Sequence, residues 1–333
     1  MGCTVVCGGF WGDEGKGKII SYLALKDKLD VCVRTGSVNA AHTVFKNGKE
    51  FRLHMVPGGF VYDKCRLLIG SGANILVNLF LEEIEKTGVK GRISVDRKCS
   101  IIEEKHSIKD KTAAHLKGVV KTTGWGVGPA IEERVSRTAK LARDVPELKP
   151  YLTDVAEEVN KAVDAQEKVV LEGTQGFMLS LFYGTYPYVT GRDTSASAIC
   201  SEAGVGPSKV NHVLVVFKAF VTRVGGGPLP DEISREEAKK RGWFEIAAGT
   251  GRERRSAPFN FELAKRSAVI NGATELAVTK LDVLYPVCKG ATSYGQLPSE
   301  AQDFISKIEQ RVGVPVVLIG TGPEAMDIID RRE

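Results

Sequence analysis

Short apolar runs alternate with amphipathic helical patterns along the whole chain, and this alternation limits the fold more than any other feature. The runs are rich in Val and Leu and are bounded by Gly or charged turns, which is typical of strands buried on both faces. Such strands, separated by helices, occur in parallel sheets with helices on both sides. The sequence therefore predicts an α/β protein with a large, mainly parallel central sheet. Strands are expected at 4–7, 31–34, 67–69, 169–171, 213–217, 276–279 and 314–319.

Helical patterns and one hairpin signal fill the intervals between these strands. An Asn-Gly turn between alternating flanks predicts a β-hairpin over residues 45–51. No internal repeat or long Pro/Gly/Ser linker divides the chain, so we expect residues 1–333 to form one domain with elaborated loops. Helices are expected at 17–26, 76–87, 149–165, 258–271 and 299–312.

Charge and cysteine content exclude several classes of protein. The net charge of +5 is too small and too evenly spread to favour nucleic-acid binding. Segment 67–81, the most apolar stretch, is interrupted by Gly, Asn and Ser, which argues against a membrane span. The start lacks the basic and apolar regions of a signal peptide. Seven separated cysteines without a C-x-x-C pair indicate reduced, buried thiols and a cytoplasmic location.

Glycine is clustered rather than scattered among its 36 positions. Most clusters directly follow a predicted strand, where ligands bind in open α/β sheets and where Gly lets backbone approach a phosphate. Several such loops at one sheet edge predict a large site for phosphorylated ligands. The clusters are 8–17, 124–128, 173–176, 225–227, 249–251 and 320–322.

The first cluster has the spacing of a phosphate-binding loop. Gly12 to Lys18 fits G-x-x-x-x-G-K, and the loop lies between a strand and a helix start, where backbone N–H groups bind phosphate. Ile19 stands where the Ser or Thr that holds Mg²⁺ is expected. Asp13 is the candidate Mg²⁺ ligand instead, because Mg²⁺ prefers hard oxygen ligands.

A second nucleotide signal is the T-K-x-D segment 279–282, which follows a predicted strand. In the similar N-K-x-D segment of GTPases, the carboxylate accepts two hydrogen bonds from guanine. Adenine offers no donors there, so a site built around Asp282 would reject ATP. The two signals together predict GTP, and they fit a signalling GTPase as well as an enzyme.

Further motifs, in order and nearly from end to end, decide between these classes: the chain resembles the adenylosuccinate synthetase family, in a compact form. The motifs are 11–18, 39–43, 122–124, 128–130, 172–176, 184–190, 222–225, 249–252, 279–282 and 321–323. The resemblance implies the Mg²⁺-dependent reaction of IMP, L-aspartate and GTP to give adenylosuccinate, GDP and phosphate, in AMP biosynthesis. It also implies a homodimer in which Arg137 reaches the neighbouring subunit's site.

The resemblance assigns roles to individual residues. Asp13 would be the base that removes the N1 proton of IMP, and also a Mg²⁺ ligand together with the carbonyl of Ala41. His42 would donate a hydrogen bond or a proton to the transferring phosphate, where charge accumulates. Lys16 and Gln175 complete the catalytic set.

Binding residues follow from the same motifs. GTP would be bound by Gly12, Glu14, Gly15, Gly17, Lys18, Ala41, Thr43, Arg254, Lys280, Leu281, Asp282, Gly320, Thr321 and Gly322. IMP would be bound by Asp13, Lys16, Asn39, Ala40, His42, Thr123, Arg137, Gln175, Thr190, Val224 and Arg252. Aspartate would be bound by Gly249, Thr250, Gly251 and Arg252, with the Arg252 guanidinium pairing with a carboxylate.

Some positions depart from the family pattern. Glu253 interrupts a run of arginines, and Ala41, Gly249 and Gly320 stand where Gly, Thr and Ser are usual. Two other interpretations compete with a synthetase: a regulatory GTPase switch, for which Ile19 is unsuitable, and an ATP-dependent ligase, against which Asp282 argues.

Overall fold

The computed structural model describes residues 2–247 and 251–332. Within these ranges the strands are β1 (Cys3–Gly8), β2 (Val31–Arg34), β3 (His42–Lys46), β4 (Lys49–Leu53), β5 (Arg66–Ile69), β6 (Asn74–Ile75), β7 (Ile93–Asp96), β8 (Ser100–Ile101), β9 (Leu152–Thr153), β10 (Val169–Glu172), β11 (Val210–Lys218), β12 (Val221–Arg223), β13 (Arg255–Ala257), β14 (Glu275–Thr279), β15 (Val316–Gly320) and β16 (Ile328–Asp330).

The α-helices pack around these strands. In the same ranges they are α1 (Lys16–Asp27), α2 (Val77–Thr87), α3 (Glu104–Thr112), α4 (Val127–Ser136), α5 (Val155–Asp164), α6 (Ala196–Ala203), α7 (Arg235–Lys240), α8 (Phe261–Asn271), α9 (Leu281–Leu284) and α10 (Ser299–Val312). None of the described helices has the length and apolar content needed to cross a membrane.

The central sheet of the described chain has ten strands in the order β16-β15-β14-β11-β1-β10-β2-β5-β7-β9. Every neighbouring pair is parallel except β15 and β16, so the expected mainly parallel sheet is confirmed. β1 lies at the centre, between β10 and β11. Val5 belongs to the hydrophobic core on one face of the sheet and Val6 to the core on the other, which is why this run is apolar at successive positions.

The predicted elements agree with the structure in place and type, with differences at their ends. The predicted hairpin is formed by β3 and β4, and all seven cysteines are buried and free. The prediction of a helix from residue 149 is wrong, because α5 begins only after Asp154, whose Oδ1 accepts from Glu157 N at 3.1 Å. A 3₁₀ turn at Pro146–Tyr151 and the short strand β9 occupy the segment before it.

Candidate active site

The phosphate loop connects β1 to α1 and carries three positive φ angles within four residues. Gly12 has φ 90°, Asp13 has φ 60° and Gly15 has φ 87°, so the backbone turns sharply before the helix starts at Lys16. A side chain at Gly17 would come within 2.8 Å of the Thr43 carbonyl oxygen, so only Gly fits where α1 meets β3. The N-terminus of α1 therefore lies close to residues 42 and 43.

Glu14 supports this loop from within. Its Oε1 accepts hydrogen bonds from Phe10 N at 3.0 Å and Gly12 N at 2.7 Å, and its Oε2 lies 2.8 Å from Lys16 Nζ. Both charged side chains are almost fully buried. Glu14 was predicted to bind GTP, but its side chain is occupied inside the loop, so only its backbone remains for a nucleotide.

A cavity of about 1020 Å³ lies beyond the carboxyl ends of the central strands. Most of the predicted site residues line it together: Gly12, Asp13, Gly15, Lys16, Gly17, Lys18, Asn39, Ala40, Ala41, His42, Thr43, Thr123, Gln175, Thr190, Val224, Arg252, Arg254, Lys280, Asp282 and Gly322. Glu14, Arg137, Gly251, Leu281, Gly320 and Thr321 are not among the lining residues. Gly249 and Thr250 lie outside the described residues.

One wall of the cavity carries a buried triad of side chains. Arg34 Nη1 donates to Glu172 Oε1 at 2.8 Å, and His42 Nδ1 lies 2.5 Å from the same oxygen. Burial and the Arg34 guanidinium both disfavour the charged imidazole, so the pKa of His42 lies below its ordinary value. Burial alone would raise the pKa of Glu172, but Arg34 and the hydrogen bonds to this carboxylate outweigh it, and the pKa is lowered.

Gln175 joins two residues that were predicted to bind IMP. Its Nε2 donates to Asn39 Oδ1 at 3.1 Å and to Thr190 Oγ1 at 3.0 Å. Its Oε1 is buried and has no hydrogen-bond partner among the described residues. An unsatisfied buried acceptor at a cavity wall suits a ligand that supplies an N–H or O–H donor.

Three residues that line the cavity, Asp13, Arg254 and Glu245, are connected by ion pairs. Arg254 Nη2 lies 2.8 Å from Asp13 Oδ1, and Arg254 Nη1 lies 2.5 Å from Glu245 Oε2. Lys218, which is buried, places Nζ 2.9 Å from the same Glu245 oxygen. Burial opposes ionisation of Glu245, but Lys218, Arg254 and Lys280 outweigh it and lower the pKa of this carboxyl to about 2.

This lowered pKa predicts an acid-sensitive contribution to stability. The Glu245 carboxylate stabilises the fold above its unfolded pKa of about 4.5, and the stabilisation is lost as pH falls from there toward 2. The whole shift corresponds to about 3 kcal/mol in the free energy of unfolding. In urea titrations between pH 5.5 and 3, Glu245→Gln should be less stable at pH 5.5, and its unfolding free energy should fall less steeply with acid. A pH dependence parallel to that of the parent protein would contradict this prediction.

Another part of the cavity wall contains residues that were predicted to bind guanine. Thr279 Oγ1 donates to the Glu14 carbonyl at 2.6 Å, so Thr in place of Asn still ties this strand to the phosphate loop. Asp282 Oδ1 is buried and has no hydrogen-bond partner among the described residues, so it can accept a hydrogen bond from a ligand. Lys18 Nζ donates to the carbonyls of Gly322 and Asp327. Burial is the main cause that lowers the pKa of Lys18 to about 8.

Arg252 and Arg137, which were both predicted to bind substrates, differ in their position relative to the cavity: Arg252 lines it and Arg137 does not. Arg252 donates to the carbonyls of Lys121 at 2.8 Å and Thr122 at 2.5 Å, and so links the predicted aspartate loop to the predicted IMP loop. Arg137 ends α4 at φ 67°, is exposed, and does not reach the cavity of its own chain.

Sequence reasoning gave no role to several residues around the cavity, namely Arg34, Glu172, Lys218, Arg223 and Glu245. Glu172 was named only as the first residue of the motif 172–176. Arg223 was named only as part of a motif, yet it is almost fully buried, donates to the carbonyls of Pro228 and Tyr188, and lies over the Trp11 ring. Charged residues at the ends of buried strands were the available signal, since Arg34, Glu172 and Lys218 each end one.

The mainly parallel sheet has a phosphate loop after its central strand, and one cavity is lined by a buried histidine and by a carboxylate whose Oδ1 has no partner among the described residues. These features define a nucleotide-dependent enzyme of the α/β class. Comparison with known proteins makes this specific. The family model described as adenylosuccinate synthetase matches residues 5–147 and 139–289. The chain therefore belongs to the adenylosuccinate synthetase family, as its motifs predicted.

Individual relatives match over their full lengths. Adenylosuccinate synthetase of Pyrococcus horikoshii is 52% identical over 337 residues, covering 100% of this chain and 99% of its own. That of Archaeoglobus fulgidus is 51% identical over 334 residues, with 100% and 99% covered. The structure of fully ligated adenylosuccinate synthetase from Plasmodium falciparum superposes with a TM-score of 0.90 at 26% identity, covering 99% of each chain.

Proposed function

We propose that this chain joins L-aspartate to IMP with GTP as the energy source, giving adenylosuccinate, GDP and phosphate. The single observation that carries the proposal is the cavity that brings Asp13, His42 and Gln175 together with Asp282. It offers a base, a phosphate-facing imidazole, an amide for a purine and an acceptor for guanine. The family and its full-length relatives support the same reaction.

In the first step Asp13 removes the N1 proton of IMP and the purine O6 attacks the γ-phosphorus of GTP. The O6–P bond forms, the bond from the γ-phosphorus to the β-phosphate oxygen breaks, and GDP leaves. The ion pair with Arg254 orients the Asp13 carboxylate at the cavity. Phosphoryl transfer depends mainly on positioning and electrostatics, which Lys16, Lys18 and the N-terminus of α1 supply.

In the second step the amine of aspartate attacks C6, the C6–O6 bond breaks and phosphate leaves. This sequence makes chemical sense because the purine oxygen is a poor leaving group until it is a phosphate ester. Gln175 and Asn39, joined by a hydrogen bond of 3.1 Å, would hold the base during both steps.

The residues of the cavity fit Mg²⁺. Asp13 and Ala41 both line the cavity, and a carboxylate and a backbone carbonyl are the kinds of hard oxygen ligand that Mg²⁺ prefers. Of the Asp13 oxygens, Oδ1 is the one paired with Arg254. The bound ion would neutralise charge on the phosphates.

Arg252 provides a test of the aspartate site. Removing its guanidinium deletes the group that would pair with a substrate carboxylate, so Arg252→Leu should raise the KM for aspartate by about 10- to 100-fold. The KM for GTP should change little. Arg311→Leu is a suitable control, because Arg311 is exposed and pairs with Glu262 on α8. A variant whose KM rises for IMP alone would show that the aspartate assignment is wrong.

We also propose that the chain acts as one domain and as a homodimer, with Arg137 reaching the neighbouring cavity. The main sheet draws strands from residue 3 to residue 330, which supports one unit. Arg137 is exposed and does not line its own cavity, which supports the proposed homodimer. Seven buried free thiols support a reducing, cytoplasmic location.

The deciding experiment measures phosphate release from GTP with Mg²⁺ in three mixtures: without addition, with IMP, and with IMP plus aspartate. Adenylosuccinate absorbance is followed in parallel. Release that requires both partners and equals product formation is the expected result. Release from GTP alone, indifferent to both, would instead establish a GTPase module.

A further inference from the structure

Glu172 is the last residue of β10 and is completely buried behind His42. The strand register pairs it with Arg34, the last residue of β2, so the two side chains meet at the same edge of the sheet. Glu172 Oε1 accepts from Arg34 Nη1 at 2.8 Å, and Oε2 accepts from Gly58 N at 2.7 Å. Arg34 is itself fixed, because Nη2 donates to the carbonyls of Ala40 and Leu53.

These contacts determine where the neutral His42 ring carries its proton. Nδ1 lies 2.5 Å from Glu172 Oε1, and a carboxylate oxygen can only accept a hydrogen bond. An unprotonated Nδ1 would place its lone pair against that oxygen. A hydrogen bond from the second N–H of Arg34 Nη1, which lies 3.2 Å from Nδ1, would not remove this closer contact between the lone pair and the Glu172 oxygen. The proton therefore belongs on Nδ1.

The other ring nitrogen is left for a ligand. His42 lines the cavity, and its Nε2 is buried without a hydrogen-bond partner among the described residues. Any proton or hydrogen bond exchanged between this ring and a substrate must pass through Nε2, because Nδ1 is occupied by Glu172. A histidine whose second nitrogen is held by a carboxylate has a fixed tautomer and ring orientation.

We propose that Glu172, clamped by Arg34 and the Gly58 amide, is a positioning residue that fixes the proton on His42 Nδ1 and aims Nε2 at the transferring phosphate. The identity of that phosphate rests on the proposed function; the tautomer does not. Glu172 acts only through His42, because both of its oxygens are occupied by protein groups and it does not line the cavity.

The first test uses the unmodified protein without substrates. The tautomer of each of the five histidines is determined from the ¹⁵N shifts and ring couplings of protein labelled with ¹⁵N-histidine, near neutral pH. His42 is assigned by the signals that disappear in His42→Asn. We expect the Nδ1-protonated tautomer at His42. An Nε2-protonated ring, or a mixture of the two, would overturn the proposal whatever reaction the protein catalyses.

The second test compares two buried glutamates. In Glu172→Gln, an NH₂ group replaces one carboxylate oxygen and must face either the Arg34 and His42 N–H groups or the Gly58 N–H group. Because two donors cannot hydrogen-bond to each other, the His42 ring is held less firmly. We expect kcat to fall by about 10- to 100-fold. The KM values for GTP and IMP should stay within about threefold, because the substitution leaves the residues that line the cavity unchanged. Glu83→Gln is the matched control, since Glu83 is also buried and, within the described chain, accepts from the backbone N–H groups of residues 54–56.

A double-mutant cycle separates positioning from a general structural effect. Single-turnover rates are compared for His42→Asn with and without Glu172→Gln. If Glu172 acts through the imidazole, its substitution should change the rate of the His42→Asn protein by less than about threefold. An equal loss in both backgrounds, or the same loss of kcat in Glu83→Gln, would assign Glu172 to stability alone.

Discussion

Asp13→Asn is expected to reduce kcat by about 10³-fold or more, because the amide cannot take the N1 proton of IMP. The substitution should leave the fold intact. Asn has nearly the same shape as Asp and is among the few residues that readily adopt the positive φ found at this position. Affinity for GTP should change by less than about threefold, since the loop binds phosphate mainly through its backbone. The measurements are steady-state kcat and GTP binding by calorimetry.

Asp27→Asn serves as the matched control. Asp27 also pairs with an arginine, Arg332, at 2.8 Å, but it lies at the far end of α1. Its replacement should leave kcat near the parent value. Near-normal turnover by Asp13→Asn would remove Asp13 as the base and would direct attention to other groups of the cavity.

Asp282→Asn is expected to change nucleotide choice more than catalytic rate. In the parent protein, the Asp282 carboxylate would accept hydrogen bonds from guanine N1–H and the exocyclic amine. A site built on such donors discriminates by about 10⁴-fold or more against an analogue that lacks them. With Asn, GTP should lose about 10²- to 10³-fold in kcat/KM, while the smaller rate with ATP should change little.

A sharper readout is XTP, whose carbonyl at C2 would accept from the Asn amide. We expect Asp282→Asn to use XTP better than the parent protein does, with kcat for IMP-dependent product formation close to that of the parent with GTP. Unchanged discrimination between GTP and ATP, together with no gain for XTP, would mean that guanine lies elsewhere in the cavity.

The elements that could be predicted from sequence are those whose stability is local or depends only on burial. The strands around Val5, Cys32 and Leu68 could be predicted from their apolar runs, because a central parallel strand is buried on both faces. Helix α10 was predicted with its observed bounds because its amphipathic pattern is regular and ends at Gly313. The strand β9, two residues long, gave no signal, since it forms only by pairing with β7.

The site could be predicted as far as its motifs extend, and no further. The loop at 12–18 and Asp282 have recognisable spacing, and the structure brings them to one cavity. The partners of His42 come from β2 and β10, which lie 138 residues apart where Arg34 meets Glu172. Only the sheet order and register bring those strands together, and neither is visible in the local sequence. Lys218 and Glu245 lie 27 residues apart and Glu245 is in a loop, so their ion pair is not visible in the local sequence either.

The central position of β1 has a consequence for the order in which this protein can be assembled. The phosphate loop is synthesised before the strands that flank β1, because β1 pairs with β10 and β11, at residues 169–172 and 210–218. Until those partners have been synthesised, the loop has no sheet to hold it, and its nucleotide-binding shape cannot form. A bound nucleotide can therefore stabilise the loop only after residue 218 has been synthesised.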